Sequence, residues 1–351
     1  MPFLDWFKGQ PGLAAPARPV QITSVDREKL FGPDHYEADP ELTQAVNAAL
    51  LLDMPLLLSG EPGTGKTQLA EKLAAELGVN LWKFETKAAS TAAELFYQFD
   101  HVRRFQAAQP GAGQADLDPL RFIDYGPLGK AILQGQPREQ ARAWFHEGKL
   151  PDWITDLAEP RRAVVLIDEI DKAPSDFPND ALNELERHYF RLRECEGREL
   201  KADPAHRPIV VITSNSEKQL PDAFLRRCLF HHLQPIGATK LQRIAARRLA
   251  SLATGLGPGT LLDGAVQLFF DLRDERIKDD DRRNLPRFEL RKKPSTAEFL
   301  AFIGALAETG ARSGDALTPE RARLWLATLV KAPEDQALAS QHPLLGGRRL
   351  G

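Results

Sequence analysis

Short apolar runs alternate along this chain with longer stretches of helical period. Five runs read as strands, at 55–58, 81–85, 164–168, 209–213 and 229–233. The first, Leu56-Leu57-Leu58 after Pro55, has the unbroken apolar character of a strand buried in a parallel sheet. After it, Leu69, Ala70, Leu73, Ala74 and Leu77 recur at helical spacing, and Gly78 stands where a helix would stop. A charged amphipathic helix is expected over 181–193. This alternation, from about 21 to 235, predicts an α/β domain around a parallel sheet. Beyond it the period is purely helical. Leu241, Ile244, Ala245, Leu249 and Leu252 mark one helix, and Leu262, Val266, Phe269 and Phe270 a second. Phe299, Leu300, Ile303, Leu306 and Ala307 mark a third, and 321–330, opened by Thr318-Pro319, a fourth. Four such helices predict a smaller all-α lid over 236–335. Residues 1–20, rich in Pro, Ala and Gly, are expected to be a disordered tail in which Trp6 and Phe7 stand out, and 336–351 a C-terminal tail that is loose from His342 to Gly351.

Between the first strand and its helix lies Gly60-Glu61-Pro62-Gly63-Thr64-Gly65-Lys66-Thr67, the phosphate-binding P-loop pattern. Glycines let the backbone wrap a phosphate with its N–H groups turned inward. Lys66 can reach the β- and γ-phosphates, the Thr67 hydroxyl can ligate Mg²⁺, and the helix that follows adds its positive end. The pattern alone is permissive, but strand, loop and helix in that order supply its context. About a hundred residues later the β-branched run Val164-Val165-Leu166-Ile167 ends in Asp168-Glu169. In a parallel nucleotide-binding sheet such an acidic pair lies beside the P-loop. Asp168 can hold the Mg²⁺ shell, and Glu169 can orient and polarise an attacking water.

The 351 residues suffice for one large or two moderate domains, and the net charge of −3 speaks against a general nucleic-acid or membrane binder. Two cysteines, Cys195 and Cys228, lack metal-ligand spacing and read as reduced cytosolic thiols. The amino terminus lacks the pattern of a signal peptide, and no run has the length of a membrane span, so a cytoplasmic protein is expected.

With both phosphate motifs, a later strand ending in Asn and a helical lid in order, residues 25 to 330 resemble the AAA+ ATPases, and within them the MoxR branch and the related McrB-like proteins. The resemblance implies an AAA+ P-loop core with ATP and Mg²⁺ as cofactors. Residues 209–215 resemble the sensor 1 strand, with Asn215 on the γ-phosphate or the water. Arg226 and Arg227, in 220–230, stand where relatives present an arginine finger to the neighbouring subunit, Arg227 being preferred for its place nearer the following strand. Relatives carry a sensor 2 Arg inside the start of the third lid helix. Here Lys293, or its neighbour Lys292, is the substitute, and the alternative is a solvated basic loop. Part of the long connection before the acidic strand resembles the helix 2 insertion. Some thirty further residues, with Trp144 and Trp153, are expected as extra surface helices, and 194–207 resembles a pre-sensor hairpin or else an ordinary polar connection. By resemblance the protein forms a homo-oligomeric ring, a hexamer, and remodels a protein partner such as a von Willebrand A-domain protein. The rival is a nucleic-acid motor or McrB-like subunit that uses GTP or ATP, supported by the basic cluster Arg282, Arg283, Arg287, Arg291, Lys292 and Lys293.

Overall fold

The computed structural model describes residues 22, 24–109, 117–215, 220–249, 259–273, 288–312 and 314–347. The tail with Trp6 and Phe7, residues 110–116, and Arg282, Arg283 and Arg287 lie outside the described residues. The described residues divide into two compact units. One holds 38–61 with 65–234; the other holds those up to 37, 62–64 and those from 235 onwards.

The first unit is built on strands β1 (Leu56–Ser59) and β2 (Asn80–Glu85), a short pair β3 (Tyr97–Phe99) and β4 (Ile123–Tyr125), then β5 (Ala163–Asp168), a second pair β6 (Tyr189–Leu192) and β7 (Arg198–Lys201), and finally β8 (Ile209–Ser214) and β9 (Leu229–His232). Five of them form one parallel sheet in the order β2-β5-β8-β1-β9. All five are the strands expected from the apolar runs, and flanking helices complete the expected α/β core. Leu57, Leu58 and the whole of 163–167 are fully buried, which is why those stretches tolerate no polar residue. The acidic strand β5 is not the direct neighbour of β1. Strand β8 stands between them, and the site must be bridged across it.

The helix expected over 181–193 spans Phe177–Arg187 instead. His188 ends it in the left-handed conformation at φ 51°, and Tyr189-Phe190-Arg191-Leu192 alternates as a strand, burying Phe190 and Leu192. The hairpin expected over 194–207 is therefore β6–β7, displaced toward the amino end, with its turn at 193–197. The long connection after β2 contains the β3–β4 pair and the helices Pro127–Gln134, Arg138–Arg142 and Asp152–Thr155. Trp144 is buried, and Trp153 packs edge-on against Trp82 at 5.7 Å. Trp144 belongs to the core, and the half-buried Trp153 packs against it.

The second unit is helical: Ala238–Arg248, Leu261–Leu272, Thr296–Glu308, Pro319–Leu324 and Leu326–Leu329. Ser295 and Glu298 close a capping box at the start of the third. The helix expected over 321–330 breaks at Trp325, whose backbone leaves helical angles while its indole reaches the Thr309 hydroxyl at 3.3 Å. Residues 24–37 join this unit and not the sheet. Leu30 is buried among the helices, and Glu37 accepts from Arg243 (2.6 Å) and Arg247 (2.8 Å). The expected loose tail is a further correction. Helix Pro333–Ala339 is followed by a turn that buries Leu345. The fully buried Asp335 carboxylate accepts the N–H groups of Arg291 and Lys292, each at 3.0 Å. His342 pairs with Asp271 at 2.9 Å. Polar anchors of this kind leave no hydrophobic period in the sequence.

Candidate functional site

The carboxyl ends of β1, β5 and β8 converge, as the register requires. Ile167 pairs with Ile212, Leu58 with Thr213 and Ser59 with Ser214. The chain leaving β1 becomes the P-loop. Gly63 and Gly65 hold φ 80° and 95°, conformations open to glycine and costly to residues with a Cβ. Gly65 is also the N-cap of helix Lys66–Leu77 and has no side chain with which to cap it. The N-cap thus offers the first turn no side-chain acceptor, and the positive end of the helix lies at the loop.

Lys66 is only 7% exposed, and its ammonium donates to the carbonyls of Gly60 (2.7 Å) and Glu61 (2.9 Å). Burial pushes its pKa down. Asp168, Asp171, Glu169 and Glu61 pull it the other way without overcoming that effect. The next residue, Thr67, donates its hydroxyl toward both oxygens of Asp168 at 3.2 Å.

Across the intervening strand, Thr213 does the bridging. Its fully buried hydroxyl donates to Asp168 Oδ1 at 2.5 Å and accepts the Glu169 N–H at 2.8 Å. That N–H is presented because Glu169 turns out of β5 at φ 55°, a left-handed conformation that costs a non-glycine residue roughly 1–2 kcal/mol. The Glu169 carboxylate accepts from Asn215 Nδ2 at 3.4 Å and pairs with Lys172. The Asn215 N–H in turn donates to Asp171 Oδ1 at 3.0 Å.

Of the residues singled out in the sequence, the structure joins Thr67, Asp168, Glu169 and Asn215 through Thr213 into one hydrogen-bonded cluster, with Lys66 near enough to feel the charges of Asp168 and Glu169. Arg226 and Arg227 are exposed just after the Asp222–Leu225 helix. Arg227 pairs with Glu186 at 3.0 Å on the surface. Lys293 is exposed in the helical unit, two residues ahead of the Ser295 cap. Thr213, Asp171 and Lys172 were not given roles by the sequence. The one signal for Thr213 was a hydroxyl ending an otherwise apolar strand opposite an acidic strand end.

The oxygens of Thr67 and Asp168 suit a small hard cation. Mg²⁺ takes one or two protein oxygens and completes its shell with phosphate and water. No group of three or more His, Cys, Asp and Glu residues that could hold a metal ion occurs among the described residues. None of the helices described is long and apolar enough to cross a membrane.

Residues 55–228 match the AAA domain (dynein-related subfamily), which places this stretch among the AAA+ nucleotide-binding domains. No curated protein matches the chain. Among solved structures it is similar to a mutant of Thermotoga maritima RuvB, with 15% identity, 82% of this chain and 67% of that chain covered, and a TM-score of 0.42. It is also similar to the Thermotoga maritima RuvB Holliday junction branch migration motor, with 17% identity, 82% and 66% covered, and a TM-score of 0.39. Likeness at that level says nothing about what this chain acts on.

Proposed function

We propose that the chain is an ATP-hydrolysing AAA+ machine of the MoxR type, cytoplasmic and assembled head to tail into a hexameric ring that remodels a protein partner, a von Willebrand A-domain protein being the partner class. The observation that carries the hydrolytic reading is the network Thr67–Asp168–Thr213–Glu169–Asn215 beside the buried ammonium of Lys66. A P-loop that merely joined a strand to a helix would have no use for an acidic pair held by a bridging hydroxyl.

The roles follow from the donors and acceptors. Lys66 and the first-turn N–H groups hold the phosphates of ATP. Thr67 and Asp168 hold Mg²⁺, which neutralises phosphate charge when bound. Glu169 orients a water and takes its proton, and Asn215 fixes the Glu169 carboxylate. The exposed Arg226 and Arg227 are left for a neighbouring subunit's site, where an arginine stabilises the charge on the transferring group. The ring, the partner and the MoxR assignment are carried by the motif resemblance of Gly60–Thr67, 164–171 and 209–230.

Glu169→Gln tests the core of this reading. It removes the base while leaving the cradle and Asp168 intact. The variant is expected to retain ATP with Mg²⁺ while turnover drops by orders of magnitude, read by phosphate release and by nucleotide retained after desalting. Near-normal turnover would remove Glu169 from the catalytic role.

A further inference from the structure

Past Glu169 the chain enters a short 3₁₀ turn, Ile170–Lys172, closed by the Lys172 N–H donating to the Glu169 carbonyl at 2.9 Å. The turn folds the side chain of residue 172 back onto that of residue 169. The Lys172 ammonium donates to Glu169 Oε2, while Oε1 faces the Asn215 amide at 3.4 Å. Both carboxylate oxygens are thus engaged, one of them by a full positive charge. A base that is to engage an attacking water needs a carboxylate oxygen free to face it, and here neither oxygen is free. The other ammonium of the site, Lys66, lies on the carbonyls of Gly60 and Glu61.

We propose that Lys172 is a latch that holds the Glu169 carboxylate in a resting position and so restrains basal hydrolysis. This rests on the reading of Glu169 as the base. Lys172 acts through Glu169 and is a positioning residue. Its side chain is 55% exposed and that of Glu169 40%, so solvent competes for both partners. A pair this accessible biases an equilibrium by up to about fivefold, enough to tune a rate and too little to block it. Salt weakens such a pair, so the restraint should relax as ionic strength rises.

The test compares the full-length protein with Lys172→Met, which keeps most of the stem and removes the charge, and with Lys172→Arg, which keeps a charge. Steady-state ATP turnover is measured at low and high salt, with Glu169→Gln alongside. The latch predicts that K172M raises kcat roughly two- to fivefold with KM little changed, that its rate loses the wild-type rise with salt, and that K172R restores most of the restraint. A kcat at or below the wild-type value in K172M, or equal changes in K172M and K172R, would overturn it. Unimpaired hydrolysis in Glu169→Gln would show instead that the catalytic reading had failed, and the latch with it.

Discussion

Thr213 is the residue on which the geometry of the acidic pair depends, and Thr213→Val isolates its contribution. Valine has nearly the same shape, so no cavity opens at a position that is fully buried. Two hydrogen bonds disappear: the donor to Asp168 at 2.5 Å and the acceptor for the Glu169 N–H at 2.8 Å. The first engages a charged acceptor, worth about 1.5–3 kcal/mol, and the second leaves an amide without its partner at about 1–3 kcal/mol. Asp168 and Glu169 are both partly exposed, so water recovers some of this, and a net cost of about 2–3 kcal/mol is expected. For a unit of this size that lowers Tm by roughly 4–12 °C. If the whole loss also falls on the transition state, kcat drops about 30- to 150-fold. Thermal unfolding, ATP turnover and nucleotide retention are measured on Thr213→Val and on Thr213→Ser, which keeps the hydroxyl. Turnover and Tm in the valine variant close to wild type would refute the bridging role. A serine variant as damaged as the valine one would assign the effect to the lost methyl group and not to the hydroxyl.

Two further outcomes are expected. The double variant Arg226→Ala/Arg227→Ala should keep ATP binding and lose hydrolysis by ~10³–10⁵ if a finger is lost, and mixing it with Lys66→Ala subunits should restore part of the activity at shared interfaces; full activity in the double variant alone would sink the finger assignment. His188 is buried, with burial holding its pKa below the ordinary 6.5 against the pull of Asp53 at 3.5 Å and with Arg207 acting alongside burial. The unfolded chain therefore binds the proton more readily, so the stability from the neutral ring is complete above pH 6.5 and is lost as pH falls through that value toward the folded pKa. Tm against pH should slope below 6.5 in the wild type and flatten in His188→Asn, whose side chain tolerates the left-handed backbone; identical profiles would contradict this.

What the sequence made legible was what hydrophobic period encodes. The five sheet strands show as apolar runs because parallel strands bury both faces, and the P-loop helix and three lid helices show as 3.6-residue repeats. The paired strands 97–99 with 123–125 are three residues each, too short to carry a period. The stop at His188 depends on a left-handed residue that is not glycine, which no composition rule announces. The carboxy-terminal turn is held by Asp335 on two backbone amides and by His342 on Asp271, contacts between positions 44 and 71 residues apart. At the site the same division holds. Lys66, Thr67, Asp168 and Glu169 were visible because their spacing is local. Thr213 was not, because its role arises only when β8 is placed between β1 and β5.

That placement also bears on what the cluster is built to receive. Each of its charged groups already has a partner: Lys66 the loop carbonyls, Asp168 two hydroxyls, Glu169 an amide and an ammonium. Binding at such a site exchanges partners and adds few new bonds, so the hydrogen-bond count gives little net affinity. Charge has to decide. The direction of the Lys66 shift is informative here, because four nearby carboxylates would raise its pKa if they compensated it fully, yet burial prevails and the pKa falls. The ammonium is under-compensated where it lies, held by carbonyl dipoles. An anionic phosphate exchanged for those dipoles supplies a full opposite charge in a buried setting, where a charge-assisted bond is worth about twice a neutral one. The exposed Lys172 shows the opposite direction, because its bond to Glu169 outweighs a burial it barely has. The two lysines of the site thus differ in setting: Lys66 is buried on carbonyl dipoles, and Lys172 is exposed and paired with a carboxylate.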